Sequence, residues 1–186
     1  MTANEIVELQ KAIGTTPDGF WGPKSTEACK RHLRKLMPTP NPWPKSDEQS
    51  IRAFYGPPGE SNLVNLDVSD LRVLYIGQKV KTIRCHKLVA DSLKRVLKAI
   101  QFGKSSDVLL KYAGCFNLRP MRGGTSLSTH SWGIAIDFDP GKNGNKVHWP
   151  TQAKMPLEVM EAFAREGWLS AGAFWSRDAM HMQATQ

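Results

Sequence analysis

Two short stretches place histidine and aspartate close together: His130 and Asp137 in SLSTHSWGIAIDFDP (126–140), and Asp178 and His181 in WSRDAMHMQ (175–183). Asp137 lies in an apolar run that reads as a buried strand, and a buried carboxylate needs a charged partner, solvent or a metal. Two histidines and one carboxylate form a common ligand set for a catalytic zinc, with the fourth position left to water. A lone histidine in a core is more often structural, so the spacing must also allow the side chains to converge.

His130 and Asp137 are seven positions apart, which on a straight strand puts them on opposite faces. The chain must therefore bend between them, and Gly133 can supply the bend because glycine tolerates backbone angles closed to other residues. Asp178 and His181, three apart, also cannot share a strand face, so a turn is expected there.

The elements that would carry these residues follow from periodicity. ANEIVELQKAIG spaces Ile6, Leu9 and Ile13 as a helix ending at Gly14, and a Pro-Asp-Gly turn with Phe20 and Trp21 leads to a second amphipathic helix. Both aromatics are expected to pack first and bind second. MPTPNPWPK, with Pro38, Pro40, Pro42 and Pro44, favours a stiff, extended spacer. SDEQ at 46–49 resembles a capping box. KVKTIRCH, DVLLKYAGCFNLR and GIAIDFD read as strands, while KLVADSLKRVLKAIQF and LEVMEAFAREGW read as helices. Strands and helices mix without regular alternation, so the expected class is α+β, with a central, mostly antiparallel sheet flanked by helices. The boundaries are a helical module at 1–37, a linker at 38–45 and a larger domain at 46–186. Trp168, Phe174 and Trp175 read as core, and His148 and Trp149 as either a cleft edge or a surface turn. Asp139, Asn143 and Asn145 faintly suggest a calcium loop, but the closing acid is missing, so a polar turn is expected.

The 186 residues carry a formal charge of +8, with 40% apolar and 23% charged side chains. Residues 121–186 are balanced, with 6 basic and 6 acidic side chains, so the excess lies upstream and suits an anionic polymer partner. Nucleic acid is a poor fit, because no aromatic or helix-turn-helix motif accompanies the charge. Cys29, Cys85 and Cys115 form neither a CxxC motif nor an even set, so a disulfide framework is not expected and Cys115 reads as a small buried residue. No run approaches the roughly 18 apolar residues of a spanning helix, and MTANEIVELQ lacks the pattern of a secretion signal. The expectation is a monomer made in the cytoplasm without a signal peptide and not stably inserted in a membrane.

The order of the pieces adds a resemblance. SxHxxGxAxD (128–137) followed by DxMH (178–181), with GCFNLRPMRGGTSLSTHSWG and FAREGW around them, resembles the zinc D-Ala-D-Ala carboxypeptidase and L-alanyl-D-glutamate endopeptidase family. That family includes VanY-type enzymes and many bacteriophage endolysins, and the resemblance covers roughly residues 60 to 186. ELQKAIGTTPDGFWGPKSTEA is similar to a small helical peptidoglycan-binding module. The resemblance implies one zinc ion held by His130, Asp137 and His181, with Asp178 as general base where many relatives have glutamate. It implies that Arg119 in FNLRP holds the developing oxyanion, with Arg122 the other candidate, and that Ser128 supports the site. Phe20 and Trp21 become weak candidates for wall contact. Zinc lowers the pKa of a bound water toward about 7, which suits peptide hydrolysis at neutral pH.

The implied activity is that of an endolysin cutting peptidoglycan stem peptides, foremost between L-Ala and D-Glu. Its substrate is the bacterial wall, reached after a separate protein permeabilises the inner membrane. A D,D-carboxypeptidase or a cross-link D,D-endopeptidase shares the same metal motif, since specificity lies in pocket shape. A non-catalytic wall-binding protein with structural zinc is the different class, but such sites usually close all four positions and here three ligands match.

Overall fold

The computed structural model describes all 186 residues. The chain begins with helix α1 (Ala3–Ala12), whose Thr2 cap and Glu5 form a reciprocal capping box. Helix α2 (Pro23–Leu36) follows, with proline in its first turn. The intervening turn is organised by the fully buried Gln10: its amide donates to Asp18 Oδ1, the Phe20 carbonyl and Ser25 Oγ, and its oxygen accepts from the Gly19 N–H. Phe20 does not pack as expected. It is 72% exposed, while Trp21 meets Trp149 edge-on at 5.4 Å.

The proline segment is not a free spacer. Trp43 is buried, stacks on Tyr55 at 6.5 Å and donates from Nε1 to the Glu166 carbonyl at 2.7 Å. Asn41 donates to the Gly167 carbonyl, and Pro44 and Ser46 pair through backbone hydrogen bonds with Gln186 at the chain end. Four prolines remove backbone donors, but the residues between them supply enough side-chain contacts to strap the segment to the body. Leu9, Ile13, Ala28, Cys29 and Leu33 from the helical pair join the same hydrophobic core as the downstream elements.

Helix α3 (Glu48–Tyr55) is capped by Asp47, whose side chain accepts from the Ser50 N–H, so the cap lies one residue beyond the Ser46 position of the expected box. Strand β1 (Leu63–Asp67) pairs antiparallel with β4 (Thr82–His86), and the short β2 (Leu74–Tyr75) and β3 (Gln78–Lys79) form a hairpin. Helix α4 (Ala90–Phe102) buries Leu93, Val96, Leu97 and Ile100, the apolar face expected from its periodicity.

The expected strand over DVLLKYAGCFNLR is mostly not a strand. Residues Ser106–Lys111 form a 3₁₀ helix, and only β5 (Tyr112–Gly114) is extended. Val108 and Leu109 are consecutive and both buried, which the two-residue alternation of a strand would separate.

The site-bearing sheet has the order β5, β6 (Ala135–Phe138), β8 (His181–Gln183), β7 (Leu169–Ser170), all antiparallel. Helix α5 (Pro140–Asn143) follows β6, α6 (Leu157–Arg165) precedes β7, and α7 (Ala171–Trp175) fills the gap before β8. The architecture is α+β, as expected. Trp132, Phe138, Phe163 and Trp168 are fully buried and anchor the core behind the sheet.

Candidate metal centre

His130 lies in a short 3₁₀ helix, Thr129–Trp132, that ends at Gly133. Gly133 has φ +66°, the left-handed conformation, and it turns the chain from that helix into β6. The bend required between His130 and Asp137 is therefore a helix-to-strand junction rather than a kinked strand. Asp137 and His181 then sit directly opposite each other in the β6/β8 register.

The three side chains converge. His130 Nε2 lies 3.3 Å and His181 Nδ1 3.1 Å from the same oxygen, Asp137 Oδ1, and the three ligand atoms all fall within 4.8 Å of one another. A tetrahedral zinc with ligand bonds of about 2.0–2.1 Å needs ligand atoms about 3.4 Å apart, close to these separations. The other nitrogen of each ring is already committed. His130 Nδ1–H donates to the Cys115 carbonyl at 2.6 Å, and His181 Nε2–H donates to Gln183 Oε1 at 3.0 Å. Each anchored N–H leaves the inward nitrogen with a lone pair, the form in which imidazole binds metal. The donor set fits zinc.

Without a metal, the charges lean on one another. Burial works against ionising Asp137, but hydrogen bonds from His130 and His181 overcome it and hold the carboxyl well below the usual range. Burial likewise works against a charged His181, and the Asp137 carboxylate outweighs it, so the imidazole titrates above its ordinary value.

Asp178 stands apart chemically. Its Oδ1 is buried with no hydrogen-bond partner, and its backbone is left-handed at φ +58° two residues after Ser176 at φ +61°. Burial raises its carboxyl above the ordinary range, and the Asp137 charge adds to this. Its carbonyl accepts from the His181 N–H at 2.9 Å, which is the expected turn. A carboxylate with one oxygen buried and unpartnered, on strained backbone, is an expensive arrangement, the sort that clusters at reactive sites.

The cluster lines a cleft of about 640 Å³ together with Arg119, Arg122, Ser128, Trp175, Arg177 and Asp178. Residues 122–184 match the D-alanyl-D-alanine carboxypeptidase family model. The matched stretch contains all three clustered side chains and Asp178, while Arg119 and the whole helical pair lie outside it. No curated protein and no solved structure matches the chain. Similarity to the D-alanyl-D-alanine carboxypeptidase family supports a peptidase acting on peptidoglycan, and zinc dependence is that family's general property.

Beyond the three clustered side chains and Asp178, the candidates divide. Arg119 lines the cleft, but its guanidinium donates to the Pro120 carbonyl at 3.2 Å. Arg122 also lines it, makes no ion pair and acts electrostatically on Asp178. Ser128 is buried in the cleft wall, and its backbone N–H donates to the Arg119 carbonyl, tying the two stretches together. Phe20 and Trp21 contribute nothing to the cleft. Trp21 lines a neighbouring groove with His148, Trp149 and Ser176. Asp139 pairs with Lys111, and Asn143 Oδ1 accepts from the Lys154 N–H, so these oxygens build a polar turn.

Four participants were not expected from sequence. Trp175, read as core, is 45% exposed, lines the cleft and lies 6.2 Å from the His181 ring. Gln183 and Thr129 contact His181, and the Cys115 backbone holds His130. Gln183 was findable: two residues beyond a strand-borne ligand, a side chain shares its face. Cys115 is as expected, a small buried residue whose thiol is pushed well up by burial.

Proposed function

We propose that this protein is a zinc-dependent peptidase that hydrolyses peptidoglycan stem peptides, with the bond between L-Ala and D-Glu as its foremost target. The observation that carries the reading is the convergence of His130 Nε2, His181 Nδ1 and Asp137 Oδ1 beside a partly buried Asp178 whose Oδ1 has no hydrogen-bond partner. Zinc, when bound, polarises the scissile carbonyl and makes water acidic enough to attack near neutral pH.

The chain's own residues supply the rest. Asp178, with its raised pKa, is suited to taking a proton from the attacking water and passing it to the leaving amine. Arg119 and Arg122 bring positive charge to the cleft where the carbonyl oxygen gains negative charge. Trp175 offers an apolar wall against which a peptide can lie. The excess basic charge upstream of residue 121 favours an anionic envelope polymer. In this reading the protein is an endolysin: made in the host cytoplasm, monomeric, and reaching the wall once another protein has opened the inner membrane. The helical pair and its exposed Phe20 would serve wall contact.

A carboxypeptidase reading is favoured by one observation, the description of the matching family. Mass spectrometry of fragments released from purified peptidoglycan separates the two. Peptides beginning at D-Glu, absent when zinc is chelated, support the endopeptidase. Free D-Ala moves the assignment to the carboxypeptidase, and no released fragment from zinc-loaded protein rejects both.

A further inference from the structure

Gln183 is 4% exposed, and every polar atom of its side chain is engaged. Its oxygen accepts from His181 Nε2–H at 3.0 Å and from the Thr129 hydroxyl at 3.2 Å. Its amide donates to Thr185 Oγ1 at 2.6 Å and to Ser46 Oγ at 3.3 Å, and those two hydroxyls lie 2.6 Å apart. A flipped amide would set an N–H against His181 Nε2–H and remove its acceptor. Ser46 and Thr185 in turn belong to the seam where the proline strap meets the chain end: the Ser46 N–H donates to the Gln186 carbonyl, and the Gln186 N–H donates to Pro44.

Resting on the zinc reading above, we propose that Gln183 is the positioning residue of the metal site. It fixes the tautomer and orientation of His181 so that Nδ1 faces the metal, and its own orientation is set by Thr129 and by the Ser46–Thr185 seam. Gln183 is nearly buried in the wall of the cleft beside His181 and Thr129, and the fully buried Thr185 backs it on the inner side. Metal affinity thus depends on a strap 137 residues away in sequence, through Ser46. An outer partner of a ligating histidine typically contributes 10- to 100-fold in metal affinity.

The test measures zinc affinity by chelator competition at pH 8, on full-length parent, Gln183→Met and Gln183→Glu. Methionine keeps the approximate volume and removes the acceptor, whereas glutamate restores an acceptor for the Nε2–H. The inference expects affinity at least tenfold weaker in Gln183→Met and within about threefold of the parent in Gln183→Glu. Gln183→Met binding zinc as tightly as the parent overturns the inference alone. A parent that binds no zinc overturns the peptidase reading and this inference with it. Should Gln183→Met fail to fold, histidine ¹⁵N spectra of the cadmium- or zinc-loaded parent decide. A protonated Nε2 on His181, coupled across a hydrogen bond to Gln183, supports the role, and metal on Nε2 refutes it.

Discussion

Asp137 and His181 occupy opposed positions in neighbouring antiparallel strands, and their side chains meet with Nδ1 3.1 Å from Oδ1. The pairing register alone brings together two residues 44 positions apart in the chain. A one-residue slip would send His181 to the other face of the sheet, so the site is only as stable as that register.

Asp178→Asn should leave one zinc bound per chain and lower kcat/KM by about 10²–10⁴-fold, the usual contribution of a general base. Its thermal stability should hold or rise, since the substitution removes a partly buried charge whose Oδ1 has no hydrogen-bond partner. Retained wall lysis by Asp178→Asn would remove the proposed base.

Gly133→Ala should destabilise the protein by about 2–4 kcal/mol in chemical denaturation, from left-handed backbone strain plus overpacking. A Cβ there would lie 2.8 Å from Leu63 Cδ2 and 3.0 Å from the His86 backbone nitrogen. Zinc affinity should fall as well, because His130 and Asp137 lose their common aim. An unchanged midpoint of unfolding would show that the junction has room to spare.

Trp175→Ala should raise KM roughly three- to tenfold with kcat nearly unchanged, the signature of a lost binding wall. Because Trp175 is 45% exposed, the melting temperature should barely move. A fall in kcat at constant KM would place the ring in the chemistry instead.

His86 gives stability a pH dependence separate from the metal. Its ring is buried and neutral by geometry, donating from Nε2 to the Tyr55 carbonyl and accepting at Nδ1 from the Leu88 N–H. Burial pulls its pKa below the ordinary 6.5. The unfolded chain therefore takes up this proton first as pH falls, so the stabilising contribution is full above about 6.5 and is lost as pH drops toward the folded value. With metal chelated, the stability gap between parent and His86→Gln should narrow from pH 8 to pH 5. A constant gap would contradict the assignment.

Much of the site was legible because its chemistry is local. His130, Gly133 and Asp137 lie within one bend, and burial of Asp137 in an apolar run demanded a partner. The α+β class and helices α4 and α6 followed from periodicity. What sequence hid depends on distant packing. Proline content suggests a spacer, yet Trp43 finds Tyr55 and Trp168 to pack on, and that contact overrides the local preference. Trp175 reads as core by residue type, but α7 ends in the left-handed Ser176 and leaves the ring facing the cleft. Of the two aromatics of the first turn, Trp21 packs against the core as expected, but Gln10 organises that turn from within and leaves Phe20 outside.

The central claim is that one zinc ion at His130, Asp137 and His181 makes this chain a peptidase. The most direct test is to strip the protein of metal, add zinc in steps and follow release of peptide fragments from purified peptidoglycan, with His181→Ala in parallel. The account predicts activity that rises to a plateau at one equivalent in the parent and is absent from His181→Ala throughout. Activity in the stripped parent, or a plateau equally reached by His181→Ala, would contradict it.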